Sequence, residues 1–551
     1  MTSPGTDFPT DPTGLPEAIA PQMIALDPGA HFDLRIAPVA KHLGNATVRM
    51  LAYNGSIPGP TLRVQQGCEI SINVVNDGDL EATVHWHGLR LENRYDGTHA
   101  TQTPLKVGDR FRYRLTFPDP GVYWYHPHIR EDYAQEMGLY GNIVVAPEEP
   151  HYWPPVNREV ALTLDDVLVE HGRIAPFSPS HTNYTAMGRF GNVLLVNGSP
   201  SLSLAARKHE VVRLYLTNTA NTRVFNVALP GARMKLVGGD SGHYEHEAHI
   251  DNVVLAPSER AVVDVLFHRA GALTLEHRTP NRTYPLASVS VSDQQANPIL
   301  ATDFALLHSH ADLVAEREGI AAYLNAQPDQ ILALVAEMDM GMPSANSPTE
   351  YACPMHPDVR DERPSRCPKC GMKLVPAQLV QRSAHHMHGP EGDGSAVTGA
   401  PHHAPETASP SENTRGIEWE DDMVELNRLT TQQNMRWKVI DRATGAVGTA
   451  IKWRFRVGDR VKIRLVNEMD SDHPMHHPFH IHGAGRFLIL SRDGVVEPNL
   501  VWKDTVLVRT GQTVDILFDV TNSGVWMAHC HIAEHHESGM LFSFEVDERG
   551  T

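Results

Sequence analysis

Short runs in which apolar and polar residues alternate dominate this chain. Residues 70–75 and 111–117 have a period of two, which lays one face of a strand against a core and turns the other toward solvent, and 63–67 and 141–145 are further short β-runs split off by turn signals. A second group of such runs includes 211–218 and 261–267, and a third begins near Ile417 and includes 452–467. Residues 107–117 and 457–467 open on the same Val-Gly-Asp-Arg and continue in the same alternation, which marks duplicated units. The pattern predicts an all-β protein with three β-sandwich domains at 25–149, 155–298 and 416–548, the first two separated by the Pro-rich joint 150–155. Residues 300–415 break the pattern. Their Leu/Ala-rich start predicts a helix over 301–337, followed by a Cys/Met/His block at 351–376. The Gly/Ser/Pro/His tail beyond it lacks the apolar residues that would offset chain entropy and predicts a flexible linker.

Length and charge narrow the picture further. A chain of 551 residues is too long for one core, which stops growing near ~250 residues. With 47 Lys and Arg against 66 Asp and Glu, the formal charge of −19 repels polyanions and argues against a nucleic-acid partner. No run is apolar for long enough to span a bilayer, and residues 1–20 lack the basic-then-apolar pattern of a secretion signal. A cytoplasmic protein and an extracytoplasmic one whose leader has been removed both fit, so the compartment stays open. Of the five cysteines, only Cys68 lies outside a metal-ligand context; its alternating surroundings predict a small buried apolar residue, and no disulfide framework is expected.

The candidate chemistry is concentrated in four short segments: His85-Trp86-His87-Gly88, His126-Pro127-His128, His477-Pro478-Phe479-His480-Ile481-His482, and His529-Cys530-His531 followed by His535. Each holds a His-x-His pair, and residues two apart on a strand share a face, so four pairs can offer eight imidazoles to one site. That number suffices for three copper ions, and several coppers held together can deliver in close succession the four electrons that dioxygen needs. Cys530, between two histidines, points to the opposite face, where its thiolate with His477, His535 and a weak axial Met540 would make a blue-copper electron-transfer site. His473 also opens a His-Pro-x-His run, but only the frame starting at His477 supplies a third imidazole at His482.

These segments, with residues 54–61 and 123–128, resemble the multicopper oxidases: laccases, bacterial cuprous oxidases and spore-coat laccases. The resemblance implies three cupredoxin-like Greek-key domains and four coppers. His477, Cys530, His535 and Met540 would hold the type 1 ion, and His85 and His480 the type 2 ion. The type 3 pair would be held by His87, His126 and His531 on one ion, and by His128, His482 and His529 on the other. The trinuclear cluster would lie between the first and third domains. Asp96 matches the family's acidic residue beside the type 2 ion, where a carboxylate serves oxygen reduction as proton donor or support for a water; the other reading is a turn aspartate. Where many bacterial relatives carry a second carboxylate this chain has His536, leaving Glu534 or Glu537 as substitutes.

Between 353 and 372 the chain places Cys353, Met355, His356, Cys367, Cys370 and Met372, soft donors that favour Cu(I) or, as three Cys and one His, Zn(II). The block resembles the small heavy-metal-binding domain attached to copper-transport ATPases and efflux adaptors; a knuckle that merely folds the insert is the rival reading. Met338, Met340 and Met342 alternate and suit either Cu(I) transfer or packing. His385, His386, His388, His402 and His403 suit a weak copper collector or, better, a polar linker. The expected function is oxidation of phenols, aromatic amines, Cu(I) or Fe(II), coupled to reduction of dioxygen to water, with the insert tilting the choice toward copper handling. The rival from another class is a copper-sequestering protein without turnover.

Overall fold

In the computed structural model, residues 8–341, 350–380, 402–403 and 414–549 are described. The strands group into three pairs of sheets, each pair closing on one apolar core. In the first pair, Met23–Ala25, Thr61–Gln65, Gly141–Ala146, Gly121–His126 and His85–His87 form one sheet, faced by Ala46–Tyr53, His31–Leu43, Glu69–Asn76 and Arg110–Thr116. Glu69–Asn76 shows the expected alternation, with every second residue buried. Cys68 is buried at the edge of that core, and all five cysteines are free thiols.

The third pair carries most of the chemistry. Arg454–Arg456, Leu541–Asp547, Gly524–Cys530, His477–Ile481 and Thr505–Val508 form one sheet. Its register sets Phe479 opposite Cys530 and His480 opposite His529. In the first pair the same device sets His85 opposite His126. Backbone pairing, not side-chain attraction, thus brings the imidazoles of distant segments level with one another.

Two elements differ from expectation. The region 301–337 is not one helix: helices cover Ala301–Ala305 and Ala311–Leu324, and Gln330–Met338 is a strand. That strand lies between Met435–Asp441 and Arg460–Asn467 and turns Leu332, Leu334, Ala336 and Met338 into the core, but Ile331, Ala333 and Val335 on its other face are apolar too, so the sequence shows no alternation that would separate strand from helix. The third sandwich consequently begins before the Cys/Met/His block, and the chain returns from it into the neighbouring antiparallel strand, with Met338 opposite Met435. The block itself is a three-stranded sheet of Tyr351–Ala352, Arg360–Asp361 and Val375–Pro376, whose Cys353, Cys367 and Met372 join the core of the third sandwich. Met338 is buried in that core and Met340 packs against it. Met342, His385, His386 and His388 lie outside the described residues, as does most of the tail expected to be flexible. The backbone at His402–His403 pairs with Arg282 and Thr283. No described helix is long and apolar enough to cross a membrane.

Candidate metal centres

The first centre gathers eight buried imidazoles between the first and third sandwiches: His85, His87, His126, His128, His480, His482, His529 and His531. Most have one ring nitrogen tied by a protein acceptor. The Nδ1–H groups of His85, His126, His480 and His529 donate to the carbonyls of Asp96, Pro127, Asp504 and Cys530 at 2.7, 2.8, 2.9 and 2.8 Å. Because a carbonyl can only accept, each bond assigns the proton to Nδ1 and leaves Nε2 as a lone pair. His87 is reversed: Nε2 faces the Asp504 carboxylate at 2.9 Å, leaving Nδ1. His482 Nδ1 meets Asp96 Oδ2 at 2.9 Å, and His128 Nδ1 lies 3.2 Å from Glu131 Oε1.

The untied nitrogens are where an ion fits. His85 Nε2, His87 Nδ1, His126 Nε2 and His480 Nε2 are buried without any protein partner, as are both nitrogens of His531. His482 Nε2 sits 3.3 Å from His128 Nε2 and 3.0 Å from His529 Nε2, a spacing suited to sharing an ion at about 2.0 Å from each. Burial, and then the neighbouring imidazoles, hold His87, His126, His128, His480 and His529 well below the usual histidine range, so the rings are neutral and able to ligate. So many buried lone pairs without hydrogen-bond donors would be costly unless cations satisfied them.

Asp96 ends the short helical turn Asn93–Tyr95 and is buried there. Burial opposes its charge, but His482 and His85 overcome this and hold the carboxyl below its usual range. Gly97 makes the approach possible: at φ +79°, a Cβ there would stand 1.8 Å from the Val84 carbonyl oxygen.

Glu534 and Glu537 each have a partner outside the eight imidazoles. Glu534 accepts from Thr222 Oγ1 at 3.2 Å, and Glu537 accepts from the Glu131 backbone N–H at 3.2 Å. Glu131, from the first sandwich, lies between His128 and His536, with His536 Nδ1 3.2 Å from its Oε2. Burial lowers the His536 pKa, but Glu131 outweighs it and the net shift is upward. The clue in the sequence was the three-residue spacing from His128 to Glu131.

The second centre adjoins the first through the backbone. Cys530 Sγ lies 3.5 Å from His477 Nδ1 and 3.8 Å from His535 Nδ1, and the two nitrogens are 3.3 Å apart, a compact trigonal N₂S set. Met540 is buried beside it, its backbone bonded to Cys530 and His535. Trp437 stacks on the His535 ring at 4.0 Å. His473 lies outside this set, with Nε2 3.2 Å from Met187 Sδ.

The third centre is the insert. Cys353 Sγ is 3.6 Å from Cys370 Sγ and 3.7 Å from His356 Nδ1, which is also 3.7 Å from Cys367 Sγ. Tetrahedral bonds of about 2.3 Å to sulfur and 2.0 Å to nitrogen require donor separations of roughly 3.5–3.8 Å, so these four side chains fit such an ion. Met372 is buried in the same core as Cys353 and Cys367, and Met355 packs half-buried against it.

Comparison with known proteins agrees with this geometry. Residues 38–150 and 420–550 each match a multicopper oxidase family profile, and residues 350–377 match a heavy metal binding domain. The chain carries two multicopper oxidase domains and a heavy metal binding domain. Among similar multicopper oxidases, Laccase-14 of Oryza sativa subsp. japonica is 26% identical, over 96% of this chain and 94% of its own length. Multicopper oxidase MmcO of Mycobacterium tuberculosis is 25% identical, over 91% of this chain and 84% of its own. A solved multicopper oxidase of Campylobacter jejuni, described as a metallo-oxidase, shares the fold with a TM-score of 0.63 at 20% identity, covering 100% of both chains.

Proposed function

We propose that this multicopper oxidase takes Cu(I) as its principal electron donor and reduces dioxygen to water, with phenols and aromatic amines as slower donors. The reading assigns one ion to His477, Cys530, His535 and Met540, and three to the eight-imidazole cluster. Copper there supplies reversible one-electron transfer and a place to bind dioxygen. The chain's own part is to hold the ligands rigid, keep their rings neutral, and link the two centres by adjacent residues, Cys530 flanked by His529 and His531.

One observation carries the choice of donor: the insert is seated on the segment that leads into His477. Arg366 donates to the Ser471 carbonyl and pairs with Asp470 and Asp472, each at 3.2 Å. Lys373 donates through its backbone N–H to the Asp472 carbonyl at 2.8 Å and through Nζ to its carboxylate at 3.1 Å. Gly371, between Cys370 and Met372, lies against Met469 and Pro474. A soft-metal cage bonded to residues 469–474 stands next to the thiolate centre's own loop, where a Cu(I)-binding module would present its ion. The resemblance to a plant laccase favours phenols as the alternative donor.

The test replaces Cys353, Cys367 and Cys370 together by Ser and compares oxygen uptake with Cu(I) and with a simple phenol. A fall of about tenfold or more with Cu(I), against less than about twofold with the phenol, is expected, since disturbing even the outer supports of a metal site typically costs about 10–100-fold. Equal effects on both donors would remove the insert from donor selection. No oxygen uptake with either donor in the unaltered copper-loaded protein would favour sequestration without turnover.

A further inference from the structure

The second sandwich contributes none of the imidazoles, yet it sends one charged side chain to their outer edge. Arg260, at the start of the strand Arg260–Leu266, is fully buried. Its guanidinium meets Asp504 in a two-point pair, Nη1 to Oδ1 at 2.7 Å and Nη2 to Oδ2 at 2.5 Å. The rest of the group is held as well, by the carbonyls of Val122 at 3.0 Å and Ser258 at 2.9 Å, with Asp240 beside it at 3.7 Å.

Asp504 in turn touches two rings of the cluster. Its Oδ1 accepts from His87 Nε2 at 2.9 Å, and its backbone carbonyl accepts from His480 Nδ1 at 2.9 Å. The two imidazoles are stacked, with centroids 3.8 Å apart and planes 18° from parallel. Thr505 supports the same oxygen, donating to Asp504 Oδ1 at 2.9 Å. Backbone space is tight here too: a Cβ on Gly88, at φ +83°, would stand 2.4 Å from Asp504 Oδ2 and 2.7 Å from Arg260 Nη2. The glycine that ends the first His-Trp-His-Gly segment therefore leaves room for this pair.

We propose that Arg260 is a positioning residue of the imidazole cluster: it orients the Asp504 carboxylate, which sets the tautomer and tilt of His87 and, through its backbone, of His480. The physical reason is geometric. The carboxylate held edge-on, with Thr505 Oγ1 3.1 Å from the same nitrogen, keeps the His87 proton on Nε2 and presents Nδ1 inward, the reverse of the tautomer of His85, His126, His480 and His529. A planar guanidinium bonded at both oxygens fixes that plane; an ammonium would fix only its distance. The inference does not depend on the donor and rests only on the cluster holding copper.

The experiment compares full-length, copper-loaded protein with Arg260→Met, Arg260→Lys and Asp504→Asn. Copper per chain, the thiolate absorption of the Cys530 centre, and kcat against KM for oxygen are measured. Arg260→Met is expected to lose copper from the imidazole cluster and about 10–100-fold in kcat, the usual cost of removing an outer support. The Cys530 absorption, on a separate face, should persist. Arg260→Lys should recover part of the copper, and Asp504→Asn, nearly isosteric, should mimic Arg260→Met even where the latter fails to fold. Full copper content with unchanged kcat in Arg260→Met, or in Asp504→Asn, would overturn the assignment, as would loss of the Cys530 absorption in step with the cluster copper in Asp504→Asn. Unaltered protein that takes up no copper would instead defeat the oxidase reading.

Discussion

The imidazole cluster and the insert's cage lie at opposite extremes of chain distance. His87 and its acceptor Asp504 are 417 positions apart, whereas Cys353 and Cys370 are separated by 17. The cluster needs two sandwiches already folded and in register before its ligands meet. What it receives in return is preorganisation, since carbonyls and carboxylates orient most of its rings before any ion arrives. The cage has only three two-residue strands around it and borrows its core from the third sandwich, so ion binding is left to fix its three thiols and one imidazole. Geometry that the cluster inherits from its scaffold, the cage obtains largely from its metal.

The sharpest way to break this contrast is at the thiolate. Cys530→Ser should abolish the intense thiolate-to-copper absorption and lower oxygen uptake by roughly 10³-fold with any donor, while metal content in the insert stays unchanged. Visible spectroscopy with metal analysis checks it, and a surviving absorption band would sink the assignment of the second centre.

A smaller effect separates the scaffolds. Gly97→Ala would drive a Cβ to 1.8 Å from the Val84 carbonyl oxygen, a contact with backbone that cannot swing away. It should cost about 3 kcal/mol or more and displace Asp96, lowering both the calorimetric Tm and cluster copper. Gly371→Ala in the insert meets side-chain atoms of Met469 and Pro474 at 3.2 and 3.3 Å. At φ +78° it should cost only about 1–2 kcal/mol and leave the cluster's copper intact. Comparable losses of cluster copper in both variants would mean that the two regions are not independent.

The smallest effect is expected from the metal itself. A thiol-competing chelator that empties the cage should expose residues 350–380 to protease while shifting the main unfolding transition by no more than about 2–4 °C. Cleavage spread across the sandwiches would contradict the local role of that ion.

What the sequence revealed follows the same division. His-x-His pairs and the Cys530 element are visible because each is contained in a few consecutive residues, and strand periodicity says which side chains share a face. The cage was legible for the same reason. Asp504 was not: it lies in an ordinary stretch, and its link to His87 exists only through strand pairing and the packing of the second sandwich. Glu131 is hidden in the sequence because it approaches His536 from another sandwich, 405 positions away. The strand Gln330–Met338 reads as helix because Ile331, Ala333 and Val335, on its less buried face, are apolar as well and mask the alternation.

The pairing of Met338 with Met435 has a consequence for how such a protein could change. Everything between them leaves and rejoins the sheet at facing positions, which in an antiparallel ladder are only about 5 Å apart. The sheet is therefore indifferent to how much chain makes the excursion, and lengthening it adds closure entropy only logarithmically. A lineage could gain, lose or exchange a whole accessory module at that doorway without re-registering a single strand.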